Sequence, residues 1–128
     1  MGLKESLRVM VVDDTSTSRA LLTQSLDAIG IKNYDTQNDG EMALRHLVAK
    51  PVHLVISDYN MPKMNGLQLL HGLRVNNATK RIGFILVTGR PEQDIIEAGK
   101  KLAMNNFIKK PFTPEQLKAC IEKVVGRL

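Results

Sequence analysis

The chain has 128 residues, 43% of them apolar and 24% charged, a balance that fits one packed domain and excludes a disordered chain. No apolar run approaches the ~20 residues of a bilayer span, and Met1 to Arg8 lacks a secretion signal's apolar stretch, so a cytoplasmic protein without membrane contact is expected. The net charge of +5 is dispersed, and three Phe, two Tyr and no Trp leave little for base stacking, so no nucleic-acid partner is expected. The single cysteine, Cys120, shares helical spacing with Leu117, Ile121 and Val124, which predicts packing rather than redox work.

In chain order, Arg8–Val12 reads as a first strand. Thr15 and Ser16 then cap a helix whose Leu22, Leu26 and Ile29 share a face and which Gly30 ends. A weak strand at Asn33–Thr36 precedes the Asp39-Gly40 turn and a helix with the stripe Ala43, Leu44, Leu47 and Val48, stopped by Pro51. The third strand is Leu54–Ser57, followed after Asn65 and Gly66 by a helix holding Leu67, Leu70 and Leu73. Phe84–Thr88 is the fourth, with Ile95, Ile96, Gly99 and Leu102 on the helix behind it. Asn106–Lys109 is the fifth, and Thr113 with Pro114 opens a last helix carrying Leu117, Ile121, Val124 and Leu128.

Runs such as VMVV, LVIS and FILVT are apolar without alternation, as expected of parallel strands covered on both faces. Five strand and helix pairs in strict alternation predict an α/β fold, a flavodoxin-like (βα)5 doubly wound parallel sheet of order 2-1-3-4-5, filling residues 1–128 as a single domain. Ligands of such sheets bind beyond the carboxyl ends of the strands. Asp13 and Asp14 end the first strand, Asp58 the third, Thr88 the fourth and Lys110 the fifth, so all five are expected at one edge.

Gathered carboxylates repel unless a cation compensates, and hard oxygen donors favour Mg²⁺, with Asp14 and Asp58 as ligands and Asp13 close behind. A carboxylate can also attack phosphorus to give an acyl phosphate if charge on the transferring oxygens is neutralised. The Lys110 ammonium would help neutralise it, and the Thr88 hydroxyl could donate to the new group. Each residue alone has a plainer reading. Asp13-Asp14 reads as a helix cap, Asp58 as a turn acid, Thr88 as a strand-end hydroxyl bonded to backbone, and Lys110 as a solvated loop lysine. Their coincidence at four strand ends favours a common site.

The segments VVDDTSTSR, VISDYNMPKMNGLQLL, LVTGR and FIKKPFTPEQL resemble the receiver domains of bacterial response regulators, above all the single-domain chemotaxis regulators of the CheY kind, in order and over nearly the whole chain. The resemblance implies phosphorylation of Asp58 by a histidine kinase of the CheA kind, with Mg²⁺ held by Asp14, Asp58 and the backbone carbonyl of Asn60, supported by Asp13. It implies that Lys110 rather than Lys109 contacts the phosphoryl group and that Thr88 moves toward it. Phe107 stands where chemotaxis regulators carry a switching tyrosine, and keeps the ring without the hydroxyl. Arg90 replaces an acid beside the site and Asn60 resembles the residue that positions the hydrolytic water, so both bear on phosphoryl lifetime. Ala103 and Met104 replace a usual Gly-Ala, and Met64, Asn65 and Gly66 replace Met-Asp-Gly.

The resemblance therefore implies a signalling protein that catalyses only its own phosphotransfer and dephosphorylation, with a monomer as the default expectation. No DNA-binding region follows Leu128, so output is expected through protein binding, with the flagellar motor switch as one partner, or through none. The alternatives in the same class are a phosphate sink for a shared kinase and a regulator of another two-component pathway. A phosphatase of the haloacid dehalogenase type would need a second acid where Asn60 stands. A flavin module would need a Ser/Thr/Gly-rich turn where Asp13 and Asp14 repel phosphate. His46, His53 and His71 are too scattered for a metal motif.

Overall fold

A computed structural model of the chain describes residues 2–128. The elements are α1 (Leu3–Ser6), β1 (Val9–Val12), α2 (Ser16–Ile29), β2 (Tyr34–Gln37), α3 (Gly40–Ala49), β3 (Leu54–Asp58), α4 (Gly66–Arg74), β4 (Gly83–Thr88), α5 (Gln93–Lys101), β5 (Asn106–Lys109) and α6 (Pro114–Val125). All strands are parallel and their order is β2-β1-β3-β4-β5. The expected alternation and strand order are both present. The short α1 was not anticipated, because four residues carry no readable helical period.

Side chains of a strand point alternately to the two faces, so each apolar strand feeds two cores. Val9, Val11, Leu54, Ile56, Ile85 and Val87 pack with Leu22, Leu26, Leu117 and Ile121 of α2 and α6. Met10, Val12, Val55, Phe84 and Leu86 pack on the other side with Ala43, Leu47, Leu69, Leu70 and Leu73 of α3 and α4. Burial on both faces explains why these strands lack a polar period. The outer strand β2 has no buried residue, which is why its sequence signal is weak.

Helix ends follow the expected chemistry with two differences. Asp39 accepts from Met42 N at the start of α3, Thr113 and Gln116 form a reciprocal capping box on α6, and Gly30 closes α2 at φ 99°. Thr15 sits at the N-cap of α2 but makes no side-chain capping bond, since its own N–H is drawn to Asp13 Oδ1 at 2.9 Å. Asn65 and Gln68 cap α4, and Gly66 is inside that helix rather than before it. A Cβ on Gly66 would lie 2.6 Å from the Asp58 carbonyl oxygen and 2.7 Å from Leu86 Cδ1, so this helix start docks directly on the end of β3. Val48, expected in the α3 stripe, is exposed, because Ala43 and Leu47 one turn apart fill the contact with the sheet.

Arg74 at the end of α4 joins segments that adjoin only in the fold. Its guanidinium donates to the carbonyls of Lys80, Ile82, Leu102 and Ala103 and to Asn105 Oδ1, at 2.7–3.2 Å. Ala103 is held at φ 60°, a left-handed conformation that normally favours glycine. Among the described residues no helix is long and apolar enough to cross a membrane.

Candidate functional site

β1 stops at Val12 and β5 at Lys109, so Asp13 and Asp14 lie just past the end of β1 and Lys110 just past the end of β5. Asp13 N–H still donates to Gln37 O at 3.1 Å and Lys110 N–H to Thr88 O at 2.9 Å, so the sheet fixes both backbones. Asp58 is the last residue of β3, paired with Val87. Asp13 is fully buried, Asp58 is 7% exposed and Asp14 faces solvent.

Carboxylate oxygens of Asp13, Asp14 and Asp58 lie within 4.8 Å of one another, the one such ligating group among the described residues. Lys110 Nζ stands 3.0 Å from Asp58 Oδ1 and 3.8 Å from Asp13 Oδ2. Burial pushes the Asp58 carboxyl above its ordinary value; the Lys110 hydrogen bond and charge pull it back, and Asp13 and Asp14 push it up further. Three hard oxygen donors around an under-compensated charge suit Mg²⁺, and a divalent cation there would relieve that repulsion.

Thr88 ends β4, is 6% exposed, and its Oγ1 accepts from Arg90 N–H at 3.1 Å. The plainer reading of Thr88 as a strand-end hydroxyl bonded to backbone therefore describes part of its role, but the bond uses the oxygen as acceptor and leaves the O–H free to donate. Asn60 is exposed in the loop after Asp58, and Arg90 is exposed beyond Thr88. Phe107 in β5 is half-buried, packed with Ile95, Leu102 and Met104 against the core that holds Phe84 and Leu86. Lys109, next to Lys110, is exposed. His53 Nδ1 accepts from Arg8 N–H at 2.9 Å, a structural bond away from the site.

Two contributors escaped the sequence reading. Ser18 Oγ donates to Asp13 Oδ2, and Arg19 Nη1 donates to the Asp13 carbonyl at 2.8 Å. Both sit in the first turn of α2, and the signal that could have exposed them is their position five and six residues after a buried acid that opens a helix.

Compared with known proteins, residues 9–122 match the profile of the response regulator receiver domain. The chain belongs to the response regulator receiver family. This receiver domain is 41% identical over 128 residues to a probable chemotaxis protein CheY of Rhizobium etli, covering 100% of this chain and 99% of that one. Its fold matches the chemotaxis protein CheY4 of Vibrio cholerae with a TM-score of 0.85 and 27% identity, covering 92% of this chain and 98% of that chain. It also superposes on the receiver domain of a sensor histidine kinase from Pseudomonas aeruginosa, with a TM-score of 0.84, 20% identity and 94% and 98% coverage. That neighbour was crystallised with a magnesium ion in its active-site cleft. The receiver domain here thus has the two-component signalling fold with chemotaxis proteins among its relatives.

Proposed function

We propose that Asp58 accepts a phosphoryl group from a phosphohistidine of a CheA-like histidine kinase and that the modified domain regulates chemotaxis from the cytoplasm, as a monomer. The observation that carries this reading is the Lys110 ammonium 3.0 Å from Asp58 Oδ1, inside a cluster of three carboxylates. A plain structural acid would need no second and third carboxylate pressed against it.

In the transfer, an Asp58 carboxylate oxygen forms a bond to phosphorus as the donor's N–P bond breaks, and that electron pair returns to the imidazole ring. Lys110 meets the negative charge on the transferring oxygens. Asp14, Asp58 and the Asn60 carbonyl, backed by Asp13, would hold Mg²⁺, which when bound supplies further charge neutralisation. The Thr88 hydroxyl then donates to the new phosphoryl group, its movement opens space for the Phe107 ring, and the α5, β5 and α6 face changes. Asn60 and Arg90 line the approach of the hydrolytic water and so set the lifetime.

The full-length likeness to a chemotaxis protein supports a flagellar motor switch protein as the output partner. Phe107, which has no hydroxyl to offer at that face, favours a second reading in which the domain drains phosphoryl groups from a shared kinase. Incubation with a small acyl-phosphate donor and Mg²⁺ should add one phosphoryl group, and Asp58→Asn should abolish it; label surviving in that variant overturns the acceptor assignment. Affinity capture with the phosphorylated protein separates the two outputs, since a regulator retains the motor switch protein and a sink retains only the kinase.

A further inference from the structure

We propose that Ser18 is a positioning residue for Lys110, holding the ammonium against Asp58 before any phosphoryl group arrives; its effect on transfer rests on Asp58 being the acceptor. Lys110 Nζ donates to Ser18 Oγ at 3.0 Å and to Asp58 Oδ1 at 3.0 Å. Ser18 Oγ in turn donates to Asp13 Oδ2. The ammonium itself is 3.8 Å from Asp13 Oδ2, beyond hydrogen-bond reach, so the hydroxyl is the relay that ties it to the buried acid.

The bonding capacities match. A hydroxyl has one donor and two acceptor sites, and Ser18 spends its donor on Asp13 and an acceptor on Lys110. An ammonium has three donors; Ser18 and Asp58 engage two and leave the third for an incoming oxygen. The Lys110 side chain is 30% exposed, and a long flexible stem in contact with water needs more than one anchor to stay in register. A serine in the first turn of a helix ordinarily bonds backbone. Both Ser18 side-chain bonds instead go to site side chains, while Thr15 occupies the N-cap.

The test compares Ser18→Ala with Ser18→Thr in the full chain. An apolar groove of about 550 Å³ beside Ser18, lined by Leu21, Phe112 and Pro114, has room for the threonine methyl. With a small acyl-phosphate donor and saturating Mg²⁺, Ser18→Ala should lower the maximal phosphorylation rate about tenfold while the donor KM stays within about twofold, and Ser18→Thr should restore the rate. In the unphosphorylated protein, the ¹⁵N ammonium resonance of Lys110 should be visible in wild type and Ser18→Thr and exchange-broadened in Ser18→Ala. An alanine variant with the wild-type rate or an unchanged ammonium signal, or a threonine variant that behaves like alanine, overturns the proposal. If the wild type takes up no phosphoryl group, the acceptor reading has failed, and the ammonium signal still decides the role of Ser18. Thermal melts confirm that the variants fold, which alanine's high helix propensity favours.

Discussion

Asp58 is subject to opposing influences: burial and the neighbouring Asp13 and Asp14 disfavour its ionised form, and Lys110 favours it. The balance raises its titration above the ordinary carboxylate value, so the folded state binds that proton more tightly than the unfolded chain does. The sign follows directly. Stability is lost as pH rises from the ordinary carboxylate range through the raised value, where the folded protein takes on the cost of the charge. Asp58→Asn keeps an acceptor for Lys110 and removes that cost, so it should raise Tm at pH 7. The gain should shrink toward about pH 4, and melts of both proteins across that range check it. Cys120 differs in kind. Burial pushes its thiol up to about 11, and Sγ donates to the Phe107 carbonyl at 3.6 Å. A thiol reagent at pH 8 should leave the native protein unmodified and label it fully once denatured, in keeping with the packing role its helical spacing predicts.

At the scale of elements, Arg74 shows what a pattern of apolar residues cannot reveal. It follows Leu73 at the end of α4 and looks like any basic residue in a last helical turn. In the fold, its donors secure the start of β4 and the turn before β5, including the carbonyl of the left-handed Ala103. Arg74→Ala strands several carbonyls and should cost about 2–3 kcal/mol, read as a lower denaturant midpoint with an unchanged slope. The caps of α3 and α6 are the opposite case. Asp39 and Thr113 act on residues three positions away, so their roles could be read locally. The cap expected from Thr15 is missing beside the buried Asp13, which accepts from the Thr15 N–H and from the Ser18 hydroxyl in the first turn of α2.

For the whole molecule, the parallel order brings the ends of β1, β3, β4 and β5 to one edge, and the switch proposed above would carry a change from there to the α5, β5 and α6 face. Lys110 is the link with the widest reach, touching Asp58 and Ser18 and, through its backbone, Thr88. Lys110→Ala should still accept phosphate but shift that face less; amide chemical-shift changes on phosphorylation should fall well below wild type around Phe107, and equal changes would remove Lys110 from the switch.

The strand ends, helix faces and strand order could be read from the chain because apolar periodicity and turn residues act over a few positions, and the topology rules then leave few arrangements. That reasoning sufficed to bring Asp13, Asp14, Asp58, Thr88 and Lys110 together. Ser18, Arg19 and the Arg74 clamp depended on the tertiary structure, as did the sharing of Lys110 between Asp58 and Ser18. Hydrogen bonds across such distances, 92 positions in the case of Ser18 and Lys110, depend on where packed elements meet and leave no period in the sequence.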